Sequence, residues 1–102
     1  MLIRLTLPAL FLSSTLALGQ NVDQGRTFAQ AHFARCHAIG RTDASPFRPA
    51  PPFRTLHRRY PVETLEETLA EGIVTGHPRM PEFRLEPDQI EDFIAFLKSL
   101  ER

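Results

Sequence analysis

Cys36 and His37 are the pair in this chain best equipped for chemistry: the only cysteine, followed directly by an imidazole. A sulfur bonded to a large group would tether the neighbouring ring close to that group, so the pair can serve as an anchor and a ligand. Downstream, Gly76-His77-Pro78-Arg79-Met80-Pro81 is a proline-stiffened segment that cannot continue a helix. It can bring a second ligand to the opposite side of whatever Cys36 and His37 hold. Met80 is the leading candidate for that ligand and His77 its competitor.

Covalent haem attachment normally uses C-x-x-C-H, in which two thiols bond the ring and the adjoining histidine ligates iron. Here the pentapeptide is Phe33-Ala34-Arg35-Cys36-His37, so the second thiol and the histidine are in place and phenylalanine occupies the first thiol position. Three residues apart on a helix, Phe33 and Cys36 share a face, so the Phe33 ring would replace a sulfur with an apolar contact to a haem vinyl group. Three outcomes stay open: attachment by a single thioether at Cys36, haem held without a covalent bond, or a degenerate domain without the cofactor.

The N-terminus carries its own signal. Residues 1–19 hold Arg4, a mostly apolar run from Leu5 to Leu18 and a small-x-small ending at Ala17-Leu18-Gly19, the pattern of a secretory leader. Pro8, Ser13, Ser14 and Thr15 make it weak as a span, which needs ~20 apolar residues. The expected division is a signal peptide over 1–19 and one domain over 20–102, exported to the periplasm. Such a domain is close to the ~70 to 80 residues below which a core alone is marginal. One cysteine cannot form an internal disulfide, so a large apolar cofactor would supply the missing core.

The formal net charge is zero, which argues against nucleic acid as a partner. The charges are unevenly placed, however. Arg26, Arg35, Arg41, Arg48, Arg54, Arg58 and Arg59 face only Asp23 and Asp43, whereas acids dominate from Tyr60 onward. A dipolar surface of this kind can orient a docking partner, and it is equally what solvated helices beside a basic loop would show. No paired carboxylates, nucleophile with base or phosphate loop stand out, so catalysis by the chain itself is not expected.

Three helical segments must position these groups. The first is expected from Asp23, as N-cap, to Arg35, with Phe28, Ala31 and Ala34 or Phe33 forming its apolar side. Gly25 within it costs ~1 kcal/mol relative to alanine and so signals close approach of another backbone, that of the last helix. The second spans Val62 to Ile73, with Leu65, Leu69 and Ile73 at four-residue steps, ended by Gly72 and Gly76. The last opens at Glu86-Pro87-Asp88 and buries Ile90, Phe93, Ile94, Leu97 and Leu100 as one stripe. Pro46, Pro49, Pro51 and Pro52 exclude regular structure from Asp43 to Phe53, leaving a loop that wraps something. His32 and His57 are expected to face solvent. With no period-two pattern anywhere, the fold class is a single small all-α domain.

Gly25, Phe33-Ala34-Arg35-Cys36-His37-Ala38-Ile39-Gly40, Ala50-Pro51-Pro52-Phe53, Met80-Pro81-Glu82-Phe83 and Phe96-Leu97-Lys98-Ser99-Leu100 together resemble a small bacterial class I cytochrome c, over nearly the whole of the mature chain. The resemblance implies a three-helix fold wrapped around one haem c and its iron, with the outer helices crossing near Gly25 and Phe93 or Phe96. It implies that His37 and Met80 are axial ligands, and that the Pro51 carbonyl receives the His37 Nδ1–H, fixing its tautomer. Arg54, Arg58 and Tyr60 are candidates for the haem propionates, which take guanidinium and hydroxyl donors.

The function so implied is periplasmic electron transfer between a donor dehydrogenase or reductase and an acceptor oxidase or reductase. Rival readings are a haem-based sensor or ligand-binding protein, a Cu(I) protein using Cys36, His37, His77 and Met80 as soft ligands, and a cofactor-free partner-binding domain.

Overall fold

The computed structural model describes Ile3, residues 21–72 and residues 84–102. Three α-helices, α1 (Val22–His32), α2 (Leu65–Glu71) and α3 (Pro87–Ser99), are joined by two 3₁₀ segments, Phe53–Arg58 and Val62–Thr64, and no strand occurs among the described residues. The expected features at Ile73, Gly76, His77, Met80 and Phe83, and the leader apart from Ile3, lie outside the described residues.

The N-cap of helix α1 lies two residues before the expected Asp23. Asn21, with extended backbone (φ −93°, ψ 103°), is the N-cap, its side-chain oxygen accepting the Gln24 N–H at 3.0 Å. Asp23 lies inside the first turn, where it suits the positive end of the helix dipole and pairs with Arg26 at 2.7 Å. The helix stops at His32 rather than Arg35, because the Phe33 and Ala34 N–H groups converge on one carbonyl, that of Ala29. Phe33 to Cys36 then form a tight turn in which the Phe33 carbonyl accepts from both Cys36 (3.1 Å) and His37 (2.9 Å).

The buried side of α1 is Gly25 and Ala29, not Ala31, which is exposed. Two small residues four apart let α3 come close. A Cβ on Gly25 would meet the Asp92 carbonyl and stand 2.7 Å from Phe96 Cβ, so Phe96 is the aromatic at the crossing. The Asn21 N–H donates to the Asp92 carboxylate at 2.9 Å, and the Arg26 guanidinium lies 5.5 Å from the centre of the Phe96 ring.

Helix α3 follows its sequence signals. Glu86 caps it in a reciprocal box with Gln89, Pro87 takes the first position, and Ile90, Phe93, Ile94, Phe96 and Leu97 are buried. The central segment is divided: Val62–Thr64 is 3₁₀, α2 covers only Leu65–Glu71, and Gly72 ends it at φ 102°, a conformation that favours glycine. One core joins all elements, with Phe96, Leu69, Leu97 and Val62 its largest fully buried side chains among the described residues.

Candidate functional site

The loop after α1 folds back on itself to frame His37. The Phe47 N–H donates to the Cys36 carbonyl at 3.1 Å, the Ala38 N–H to Ser45 Oγ at 3.0 Å, and the Phe53 N–H to the Ala38 carbonyl at 2.9 Å. The four prolines between Pro46 and Pro52 keep this stretch out of helix, so its backbone donors are free for such cross-loop bonds. Pro51 and Pro52 then lead into the 3₁₀ segment Phe53–Arg58, an element whose two-proline entry was its only sequence signal.

His37 is half-buried, and its Nδ1 lies 2.8 Å from the Pro51 carbonyl oxygen. A carbonyl only accepts, so Nδ1 carries the proton and Nε2 is the nitrogen left to offer a lone pair to a metal. That arrangement suits a metal ligand, whose other nitrogen is ordinarily held by a carbonyl or carboxylate. Cys36, also half-buried and free, stands beside it.

An aromatic wall backs the pair. The Phe33 ring stacks on Phe93 with centroids 5.1 Å apart, meets Phe53 edge-on at 5.5 Å, and approaches His37 edge-on at 6.4 Å. Phe53 lies against the His37 ring at 4.7 Å. Each such pair adds about 0.5–1.5 kcal/mol beyond the burial of its area. Phe33 therefore belongs to the core while touching the ring of the adjacent ligand candidate.

The remaining candidates are placed as follows. Arg54 Nη1 donates to the Asp43 carbonyl at 2.6 Å and the Gly40 carbonyl at 3.4 Å, bracing the loop. Tyr60 follows the same 3₁₀ segment and is 37 % exposed; partial burial raises its phenol above the usual 10.0, with Arg59 pulling the other way. Arg58 is exposed. Residues 73–83, which hold Met80 and His77, are flanked by anchored chain: Leu85 N–H donates to the Leu69 carbonyl at 3.0 Å and Arg84 Nη2 to the Glu71 carbonyl at 3.1 Å.

One group differs from the sequence expectation. His32 is exposed and stacks on Phe28 at 4.4 Å, but His57 is half-buried, and its Nδ1 is closed off from solvent with no hydrogen-bond partner. Nothing in the residue types around it signals this, because it follows from the 3₁₀ winding of Phe53–Arg58.

Among the described residues no group of three or more His, Cys, Asp or Glu side chains is gathered to hold a bare metal ion. What is gathered is one oriented imidazole and one thiol beside a broad apolar wall. These fit a large, flat, mostly apolar group that brings its own metal and its own polar edge, so the fold and the site define a small all-α haem protein.

The family model for cytochrome c matches residues 22–101, and the chain belongs to the cytochrome c family. It is 31 % identical over 88 residues to cytochrome c-552 of Bradyrhizobium diazoefficiens, covering 86 % of this chain and 83 % of that protein. No solved structure matches it. Its cofactor is haem c with its iron, and its role is that of a haem-binding electron-transfer protein. No helix among the described residues is long and apolar enough to cross a membrane.

Proposed function

We propose that the chain is a periplasmic electron carrier in which haem c is attached by a single thioether at Cys36, with His37 and Met80 as axial ligands. The observation that carries this reading is the 2.8 Å contact of His37 Nδ1 with the Pro51 carbonyl, immediately after the thiol. It supports a histidine held in one tautomer with Nε2 directed outward as a ligand.

Bound haem supplies a one-electron iron couple, and a thioether opposite histidine favours the ferrous state and raises the potential. The chain's residues do the rest. Cys36 anchors one vinyl position, and Phe33 gives the other an apolar contact. Phe53, Leu56, Leu69 and Phe93, all buried, exclude water from the apolar side. Arg54, on the 3₁₀ segment whose Phe53 ring lies against His37, and Tyr60 just beyond that segment would serve the carboxylate edge. With both axial positions filled no substrate binds, and exchange occurs with a donor dehydrogenase or reductase and an acceptor oxidase or reductase. Residues 1–19 act as a leader removed on export, leaving 20–102 as the functional domain.

The test is expression of the full chain in a host with a working cytochrome c maturation system, followed by denatured mass and the pyridine haemochrome spectrum. One added haem with the band of one unreacted vinyl is the expected result. An apo mass that persists after added haemin would replace the carrier reading with a cofactor-free domain.

A further inference from the structure

Among the described residues, His57 Nδ1 is the buried side-chain nitrogen or oxygen left without a partner. Leaving such a group unpaired is unfavourable unless something satisfies it. Its position narrows what that something is. His57 lies on the 3₁₀ segment Phe53–Arg58, whose first residue is fastened to the Ala38 carbonyl at 2.9 Å and whose Phe53 ring sits 4.7 Å from the His37 ring. In a 3₁₀ helix side chains three apart eclipse, which aligns His57 with Arg54. Arg54, however, already spends Nη1 on the Asp43 and Gly40 carbonyls.

The surroundings in sequence are one-sided. No acidic residue occurs between Asp43 and Glu63, while Arg48, Arg54, Arg58 and Arg59 do. The Asp43 carboxylate lies 3.8 Å from Arg54 Nη1 and makes no bond to His57 Nδ1, so an anion for this nitrogen would come with a ligand. The cofactor brings two carboxylates.

We infer that His57 Nδ1–H donates a hydrogen bond to a propionate of the bound haem, which rests on His37 being the iron ligand of the proposed function. His57 is then a positioning residue. By drawing charge from the carboxylate, the donated bond weakens its stabilisation of ferric iron, and the reduction potential rises.

The test compares the haem-loaded protein with His57→Phe and His57→Gln by redox titration. His57→Phe fills the space but cannot donate, and its potential is expected to fall. His57→Gln can donate from its amide, and is expected to restore most of the difference. Independently of any variant, nitrogen NMR of the reduced, diamagnetic protein should show the His57 Nδ1 bearing a proton in slow exchange with water. Haem-loaded His57→Phe at the parent potential, or a neutral His57 ring with Nδ1 unprotonated, would overturn the inference and leave the carrier reading intact. A chain that takes up no haem overturns both.

Discussion

Gly25 and Phe96 meet with no room for a side chain: a Cβ on Gly25 would stand 2.7 Å from Phe96 Cβ and closer still to the Asp92 carbonyl. The contact is with backbone as well as side chain, so it cannot be relieved by a rotamer change. Gly25→Ala should therefore destabilise the protein although alanine is the better helix former by ~1 kcal/mol. Overpacking of this type costs about 1–3 kcal/mol, and the helices must separate to absorb it. Urea denaturation of the haem-loaded protein should show a lower midpoint with an unchanged slope; an equal or higher midpoint would mean that the crossing is looser than described.

Phe33 invites the reverse substitution. Phe33→Cys would place a thiol at the first position of C-x-x-C-H, and the expected product has two thioethers. Its haemochrome band should move away from that of a ring with one free vinyl, while the mass still corresponds to one haem. The same change removes a ring stacked on Phe93 and packed on Phe53. Truncation to alanine at this site should cost about 3–5 kcal/mol. A Phe33→Cys protein with an unmoved band would show that the turn does not offer residue 33 to the haem edge.

Met80→Ala should lower the potential and open a coordination position. Carbon monoxide should then bind the reduced variant rapidly, and bind the parent poorly. If the parent itself binds carbon monoxide readily, a ligand-binding role gains over the carrier, and if the variant's spectrum is unchanged, His77 becomes the second ligand.

The Glu63–Lys98 ion pair, 2.6 Å long, ties the turn before α2 to the last turn of α3. The hydrogen bond from Lys98 holds the Glu63 carboxyl below its ordinary 4.5, and the same bond holds the Lys98 ammonium above its ordinary 10.5. A carboxyl lowered by folding stabilises the protein above about pH 4.5, and that contribution disappears as pH falls through the folded value. For the raised ammonium the contribution is complete below about pH 10.5 and disappears as pH rises through the folded value. Glu63→Gln should thus be less stable than the parent between these limits and converge with it in acid. Both groups are exposed, so the difference is small and should shrink further in salt. A difference that persists below pH 3, well under the carboxylate range, would point to packing instead of charge.

Arg41 reads in the sequence as one more charge in a basic stretch, and the structure gives it a particular task. Its guanidinium donates to the Ser99 carbonyl at 2.7 Å and the Arg102 carbonyl at 3.1 Å, at the negative end of α3. Arg41→Ala should cost about 0.3–1 kcal/mol, and the loss should be visible as faster amide exchange in the last turn of α3.

The terminal helix was the most legible part of the chain, because its start signal and its apolar stripe both come from local spacing. Gly25 announced a crossing, since a helix interior has little other use for glycine. Cys36 and His37 were legible as a pair by adjacency alone. The start of α1 was misplaced because Asn21 and Asp23 are both good caps, and the choice between them is made by Asp92, far away in sequence, receiving the Asn21 N–H. The split of the central segment was hidden for a similar reason: Leu65 and Leu69 have helical spacing, but nothing local separates a 3₁₀ turn at Val62–Thr64 from the first turn of an α-helix. The burial of His57 Nδ1 depends on how a short 3₁₀ segment is wound, to which residue type is blind.

The bond from the Asn21 N–H to the Asp92 carboxylate joins residues 71 positions apart. The helix that delivers Cys36 and His37 therefore cannot dock on α3 until nearly the whole polypeptide has been made. At ordinary rates of synthesis that interval is on the order of seconds. Closure of the α1–α3 crossing is thereby among the last contacts that the growing chain can make.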